Sequence, residues 1–134
     1  MRTNIIRNRA VAVSHHSLNG WTVFEVDGEI DFHTAPQIRE AAIGLLDQGH
    51  RHFVLDLCFV PFLDSTGLGA IVAITKRVKA CQGSLRIACP SPRIRRVFEI
   101  NSLQPIYDFY DSPQDATQHP PTPDGLAHWP HPIV

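Results

Sequence analysis

Between Phe53 and Gly69 the chain passes from a run that suits a strand to a pattern that suits a helix, with a short polar hinge between them. Phe53 to Val60 is too short and too rich in β-branched and aromatic residues to read as a helix, so it reads as a strand. Downstream, Leu68, Ile71, Val72, Thr75 and Val78 recur at helical spacing. The run Phe62, Leu63, Asp64, Ser65, Thr66, Gly67, Leu68, Gly69 therefore places Ser65 at the mouth of a helix. A helix N-terminus exposes unpaired N–H groups and a partial positive charge, so an anion attached to or docked at Ser65 is favoured there. Ser65 is a candidate charge switch.

The same punctuation extends in both directions. Val11 to Ser14 and Trp21 to Val26 alternate in polarity around Asn19 and Gly20, the signature of a β-hairpin. Thr34 followed by Gln37 fits a capping box, with Pro36 tolerated in the first turn, so a helix is expected to start there. Ile38, Ala41, Ala42, Leu45 and Leu46 form its apolar stripe, and Gly49 is its stop. The Ser65 helix is expected to end near Gln82 and Gly83, and Ser84 to Cys89 alternates as a short strand. Pro90 and Pro92 introduce a helix with Ile94, Val97 and Phe98 inward, ending near Asn101, and Pro105 to Phe109 is expected to add a last strand. The resulting order, ββαβαβαβ, calls for an α/β fold: a mostly parallel or mixed sheet covered by helices, its antiparallel part supplied by the first hairpin.

Residues 1–112 read as one domain, within the usual size range for a chain of 134 residues. From 113 onward, Ser112, Pro113 and Asp115 suggest one short helix, after which Pro120, Pro121, Pro123, Pro130 and Pro132 forbid regular structure over most of a tail that reaches residue 134. Trp129 and Ile133 are the tail's docking candidates. A net charge of −1 argues against binding nucleic acid by bulk electrostatics. Three cysteines, Cys58, Cys81 and Cys89, lack metal-like or redox-like spacing and read as buried thiols in a reducing compartment. Arg2, Arg7 and Arg9 lie in an N-terminus without an apolar core, and no stretch approaches a membrane span, so a cytoplasmic protein is expected.

Ordinary roles compete for each candidate residue. Asp64 and Ser65 are favoured helix caps, and most such pairs do nothing else. Gly67 and Gly69 add weight to a functional reading, since glycine in a helix costs about 1 kcal/mol relative to alanine and lets another group approach closely. A nucleophilic Ser65 lacks both a Gly-x-Ser-x-Gly frame and a histidine placed by motif. Thr66 interrupts any aspartic-protease triplet, and no Gly-x-x-x-x-Gly-Lys loop is present to cradle a nucleotide. His50 with His52, and His15 with His16, lack a third metal ligand by spacing. Arg93, Arg95 and Arg96 read by default as a solvated helix face. No cofactor is expected, nor an enzyme activity.

The block Val54, Leu55, Asp56, Leu57, followed by the Phe62 to Gly69 run, resembles the signature of STAS domains in bacterial anti-sigma factor antagonists. Gly28, Glu29, Ile30, Asp31 and the helix opening at Thr34 resemble a second element of that family, and the order of elements agrees from about Val11 to Tyr110. The resemblance implies a small mixed sheet with helices packed on it. It further implies a protein that binds an anti-sigma factor serine kinase and so frees a sigma factor, lets go when that kinase phosphorylates Ser65, and is reset by a PP2C-type phosphatase. Asp31, Asp64, Ser65, Thr66, Gly67 and Leu68 are then expected to face the kinase, with neither nucleic acid nor membrane as a direct partner. The fold also serves stressosome-like scaffolds and transporter-associated modules, which stand as the alternative. A shortened C-terminal helix near Ser112 to Gln118 and the proline-rich tail depart from the family pattern.

Overall fold

A computed structural model describes residues 2–121, organised around one six-stranded sheet in which the strands lie in sequence order. The hairpin expected from Asn19 and Gly20 is formed by β2 (Val11–Leu18) and β3 (Trp21–Gly28). Both turn residues have positive φ, 52° and 84°, as a two-residue turn matched to strand twist requires. The next strands, β4 (His52–Phe59), β5 (Ser84–Ala88) and the two-residue β6 (Phe109–Tyr110), each join their predecessor in parallel. Parallel pairing needs crossovers. They are α1 (Ala35–Asp47), α2 (Ser65–Ala80) and α3 (Pro92–Ile100).

The expected order is present, with one strand before it and one short helix after it. The first, β1 (Thr3–Arg7), runs antiparallel on the open edge of β2. Its side chains are almost all exposed, so the backbone ladder holds it without an apolar pattern for the sequence to display. The expected Pro105–Phe109 strand is displaced: Gln104–Ile106 forms a 3-10 turn, and pairing with Ile87 and Ala88 begins only at Phe109. Pro105 has no N–H to give a ladder. The short helix α4 (Pro113–Ala116) is capped by Ser112 Oγ, which accepts from the Asp115 amide at 3.1 Å.

One face of the sheet carries the main core. Phe24, Phe53, Leu55, Leu85 and Ile87 meet Ile38, Leu45, Ile71, Ile74, Ile94 and Phe98 from the three helices. On the other face, Trp21, Val23, Val54 and Ala88 form a smaller cluster with Ala116 of α4. The segment after Ser112 is tied down there by side chains that donate to its carbonyls. Asn19 Nδ2 reaches Thr117 at 2.7 Å, Arg86 reaches Ala116 at 2.8 Å, and Trp21 Nε1 reaches His119 at 2.8 Å. Arg86 is itself held over the Trp21 ring, 4.5 Å from its centroid. Trp129, Ile133 and the prolines beyond Pro121 lie outside the described residues.

Candidate functional site

Because β3 and β4 are parallel, their C-terminal ends lie at the same edge of the sheet, and the loops leading into α1 and α2 emerge side by side. A parallel bridge between Ile30 and Leu63 joins them. The Ile30 amide donates to the Phe62 carbonyl at 2.9 Å, and the Asp64 amide to the Ile30 carbonyl at 3.3 Å. One residue beyond the bridge on each strand stand Asp31 and Asp64, so the two aspartates named by the sequence are register neighbours at the two helix entrances.

Asp64 is the N-cap of α2. Its backbone is extended, φ −104° and ψ −177°, and its Oδ1 accepts from the Gly67 amide at 2.8 Å. That is the geometry a capping aspartate needs. Ser65 follows as the first helical residue, and its side chain and that of Thr66 are exposed. The Ser65 and Thr66 amides fall in the first turn, where no intrahelical acceptor exists. The carboxylate of Asp64 is occupied by the cap, and among the described residues no histidine is hydrogen-bonded to Ser65. Ser65 thus presents its hydroxyl to solvent beside backbone donors of the first turn. A shallow groove of about 210 Å³ runs beside it between the two helices, with Pro36 and Arg39 on one wall and Thr66 and Gly69 on the other.

Gly67 and Leu68, expected at the partner surface, are buried instead. A helix turns by about 100° per residue, so two residues facing solvent are followed by two facing the sheet. A Cβ on Gly67 would collide with the Ile30 carbonyl oxygen and stand 2.7 Å from Ile30 Cγ2. Gly67 thus lets α2 close onto the Ile30 strand end, and Leu68 anchors the turn in the core.

The entrance to α1 is built differently from the capping box expected at Thr34. The Thr34 backbone is already helical, φ −92° and ψ −25°, so its side chain turns back into the preceding loop. Its hydroxyl donates to the Glu29 carbonyl at 2.7 Å and accepts from the Asp31 amide at 3.0 Å. Asp31 does the capping: its Oδ1 accepts from the amides of His33 at 2.9 Å and Thr34 at 3.1 Å. The Thr34 amide, foremost among these donors, holds the Asp31 carboxyl below the usual carboxylate range. Gln37, freed from the box, accepts from Asn8 Nδ2 at 3.1 Å.

Sequence reasoning missed two contributors. Arg93 does not simply face water; its guanidinium donates to the Pro61 carbonyl at 2.6 Å and braces the loop that delivers Ser65. Arg95 is likewise structural, donating to the Cys89 carbonyl at 2.6 Å and pairing with Asp111 at 3.1 Å. Proline-flanked arginines at the start of α3, directly after β5, were the available signal. The second contributor is a set of exposed aromatics, Phe59 at the end of β4 and Phe32 and Phe62 in the loops leading into α1 and α2.

The histidines of the described residues do not gather around one centre. His50 shares a hydrogen bond with Thr22 at 2.7 Å, and His52 shares one with Ser84 at 2.8 Å. His15 meets the His50 ring edge-on, 5.4 Å between centroids, and among the described residues no cluster of three metal-ligating side chains occurs. Cys89 is buried, but Cys58 and Cys81 are only half-buried, and all are free thiols. Burial, then the Asp56 carboxylate, pushes the Cys58 thiol up to about 12.

With this architecture in place, comparison with known proteins is specific. Residues 11–116 match the family model for the STAS domain. The chain is 41% identical over 85 residues to an anti-sigma-B factor antagonist of Bacillus subtilis, an alignment covering 62% of this chain and 75% of that one. It is 35% identical over 82 residues to the protein of the same name from Staphylococcus aureus, covering 61% and 76% of the two chains. A crystal structure of an anti-sigma factor antagonist from Mycobacterium paratuberculosis superposes with a TM-score of 0.74 at 26% identity, over 81% of this chain and 92% of that one. The chain belongs to the STAS domain family. Among the described residues no helix is long and apolar enough to cross a membrane.

Proposed function

We propose that this chain is an anti-sigma factor antagonist of the cytoplasm that docks on an anti-sigma factor serine kinase through the edge bearing Ser65, and so frees a sigma factor. Phosphorylation of Ser65 by that kinase ends the contact, and a PP2C-type phosphatase restores it. The observation that carries this reading is the exposed Ser65 hydroxyl at the first position of α2, beside an aspartate whose carboxylate is committed to the cap. The names of the Bacillus and Staphylococcus relatives support the antagonist role. Within the expected kinase-facing set, Asp31, Asp64, Ser65 and Thr66 are the members at the surface.

The physics of such a switch needs no refolding. Phosphorylation adds about −1.5 to −2 charges. The added group is tolerated in the free protein because the first-turn amides of α2 face it. In the complex, one unit charge about 6 Å from a partner carboxylate costs about 3 kcal/mol at an effective dielectric near 20, about a hundredfold in affinity. A surface that fits an uncharged hydroxyl therefore rejects its phosphorylated form.

The test is incubation with a purified anti-sigma factor kinase and ATP, with phosphate located by mass spectrometry. Ser65→Ala is expected to bind the kinase and take up no phosphate. Stoichiometric phosphorylation of that variant would refute the assignment.

A further inference from the structure

On the reading of Ser65 as a switch, we infer that Phe32, Phe59 and Phe62 are the anchors by which the kinase-type anti-sigma factor is held, so that affinity and its control reside in different side chains of one surface. Five large apolar side chains are exposed among the described residues, and three of them stand at the sheet edge that carries Ser65, Phe59 at the end of β4 and Phe32 and Phe62 in the loops leading into α1 and α2. Phe32 is 67% exposed, Phe59 57% and Phe62 46%, whereas the other two, Ile5 and Ile100, lie far apart in β1 and at the end of α3. Ring surface left in water at one edge is a common mark of an interaction site, and aromatics dominate binding hot spots.

These rings sit on fixed backbone. Phe62 gives its carbonyl to the Ile30 amide, Phe59 stands opposite Asp27 in the β3–β4 ladder, and the Phe32 ring packs edge-on against His33 with centroids 4.6 Å apart. Pre-ordered anchors lose little freedom on docking. The Ile30–Leu63 bridge holds together the two segments that carry Phe32 and Phe62, beside the Asp31 and Asp64 entrances. A serine hydroxyl supplies little binding energy of its own, so a contact that its phosphorylation must break needs its affinity from neighbouring apolar surface.

Charge selects the occupant. Asp27 stands opposite Phe59 in the ladder, and Glu29, Asp31 and Asp64 lie within three residues of Phe32 or Phe62 in the chain, so these four carboxylates outnumber the nearby cations, Arg39 on the groove wall and Arg93 on the Pro61 carbonyl. A second copy of the chain would set two acidic edges against each other, and an anionic lipid surface would meet the same edge. The complement is a folded protein with an apolar pocket and basic residues around it.

The experiment titrates full-length wild type, Ser65→Ala, Phe59→Ser, Phe32→Ser and Phe62→Ala against a purified anti-sigma factor serine kinase, with thermal melts as the folding control. Sedimentation of wild type and Phe59→Ser alone reports self-association. The expected result is that each Phe variant melts like wild type and binds about tenfold or more weakly, while Ser65→Ala loses less affinity than any of them. Binding by wild type with Phe variants within twofold of it overturns the inference and leaves the switch standing. No binding by either wild type or Ser65→Ala overturns the switch reading and the inference with it. A wild-type dimer that Phe59→Ser dissociates assigns the patch to self-assembly and overturns the inference as well.

Discussion

The two helix entrances at the C-terminal edge of the sheet begin with the same elements, an aspartate followed by a hydroxyl residue, and arrange them in opposite ways. At α1 the hydroxyl of Thr34 is buried and engaged with both Glu29 and Asp31. At α2 the hydroxyls of Ser65 and Thr66 are exposed, and Asp64 alone closes the cap. The difference lies in how far the capping aspartate stands from the start of the helix. Where the aspartate directly precedes the helix, the next side chain points outward. Where it stands four residues before the helix, the intervening loop folds its own hydroxyl inside. One entrance is thereby sealed over its own hydroxyl, and the other leaves its hydroxyls open to solvent.

The strongest way to break this comparison is to loosen the open entrance. Gly67→Ala drives a methyl group into the Ile30 carbonyl and is expected to cost about 2–3 kcal/mol, read as a shift in urea midpoint. Gly69→Ala, two residues on, meets nothing within 4 Å and is expected to raise stability by up to about 1 kcal/mol. Equal effects from the two glycines would mean that Gly67 does not hold the α2 entrance against Ile30.

A smaller effect sharpens the contrast between the hydroxyls. Thr34→Val leaves the Glu29 carbonyl and the Asp31 amide without their partner and is expected to cost about 1–2 kcal/mol. Thr66→Val, on an exposed side chain, is expected to stay within about 0.5 kcal/mol of wild type. Parity between the two threonines in thermal melts would show that the first entrance is not sealed by its hydroxyl.

The same pair of entrances shows what the sequence makes legible. Period and turn residues gave away the architecture: Asn19 and Gly20 adopt the positive φ of a hairpin turn, and Gly49, at φ 103°, ends α1 where its stripe stops. The strand-to-helix hinge at Ser65 was readable because Asp64 caps by a local rule. Thr34 obeyed the spacing of a capping box without its geometry, since the spacing does not say whether the threonine backbone is extended or already helical. Gly67 and Leu68 share one sequence motif with Ser65, yet helical rotation separates outward from inward members within a single turn. β1 was invisible because its hydrogen bonds come from a neighbour's edge, and the bracing role of Arg93 because its acceptor, Pro61, lies 32 residues away.

The smallest predicted effect lies in the pH dependence of the sealed entrance. Asp31 accepts amide hydrogen bonds as a carboxylate, and its pKa in the folded protein lies below the value of about 3.9 it takes when unfolded. Its contribution is therefore complete above about pH 5 and fades as the pH falls through the folded value. Asp31→Asn keeps an oxygen acceptor but cannot titrate, so the difference in urea midpoint between wild type and variant should be constant near neutrality and shrink in acid. Glu25 works in the opposite sense. Burial outweighs its 3.0 Å pair with Arg2 and raises its pKa, so protonation of Glu25 favours the folded state as the pH falls. That gain is common to wild type and Asp31→Asn and cancels in their difference. A difference that stays flat to pH 2 would show that the Asp31 carboxylate caps α1 no better charged than neutral.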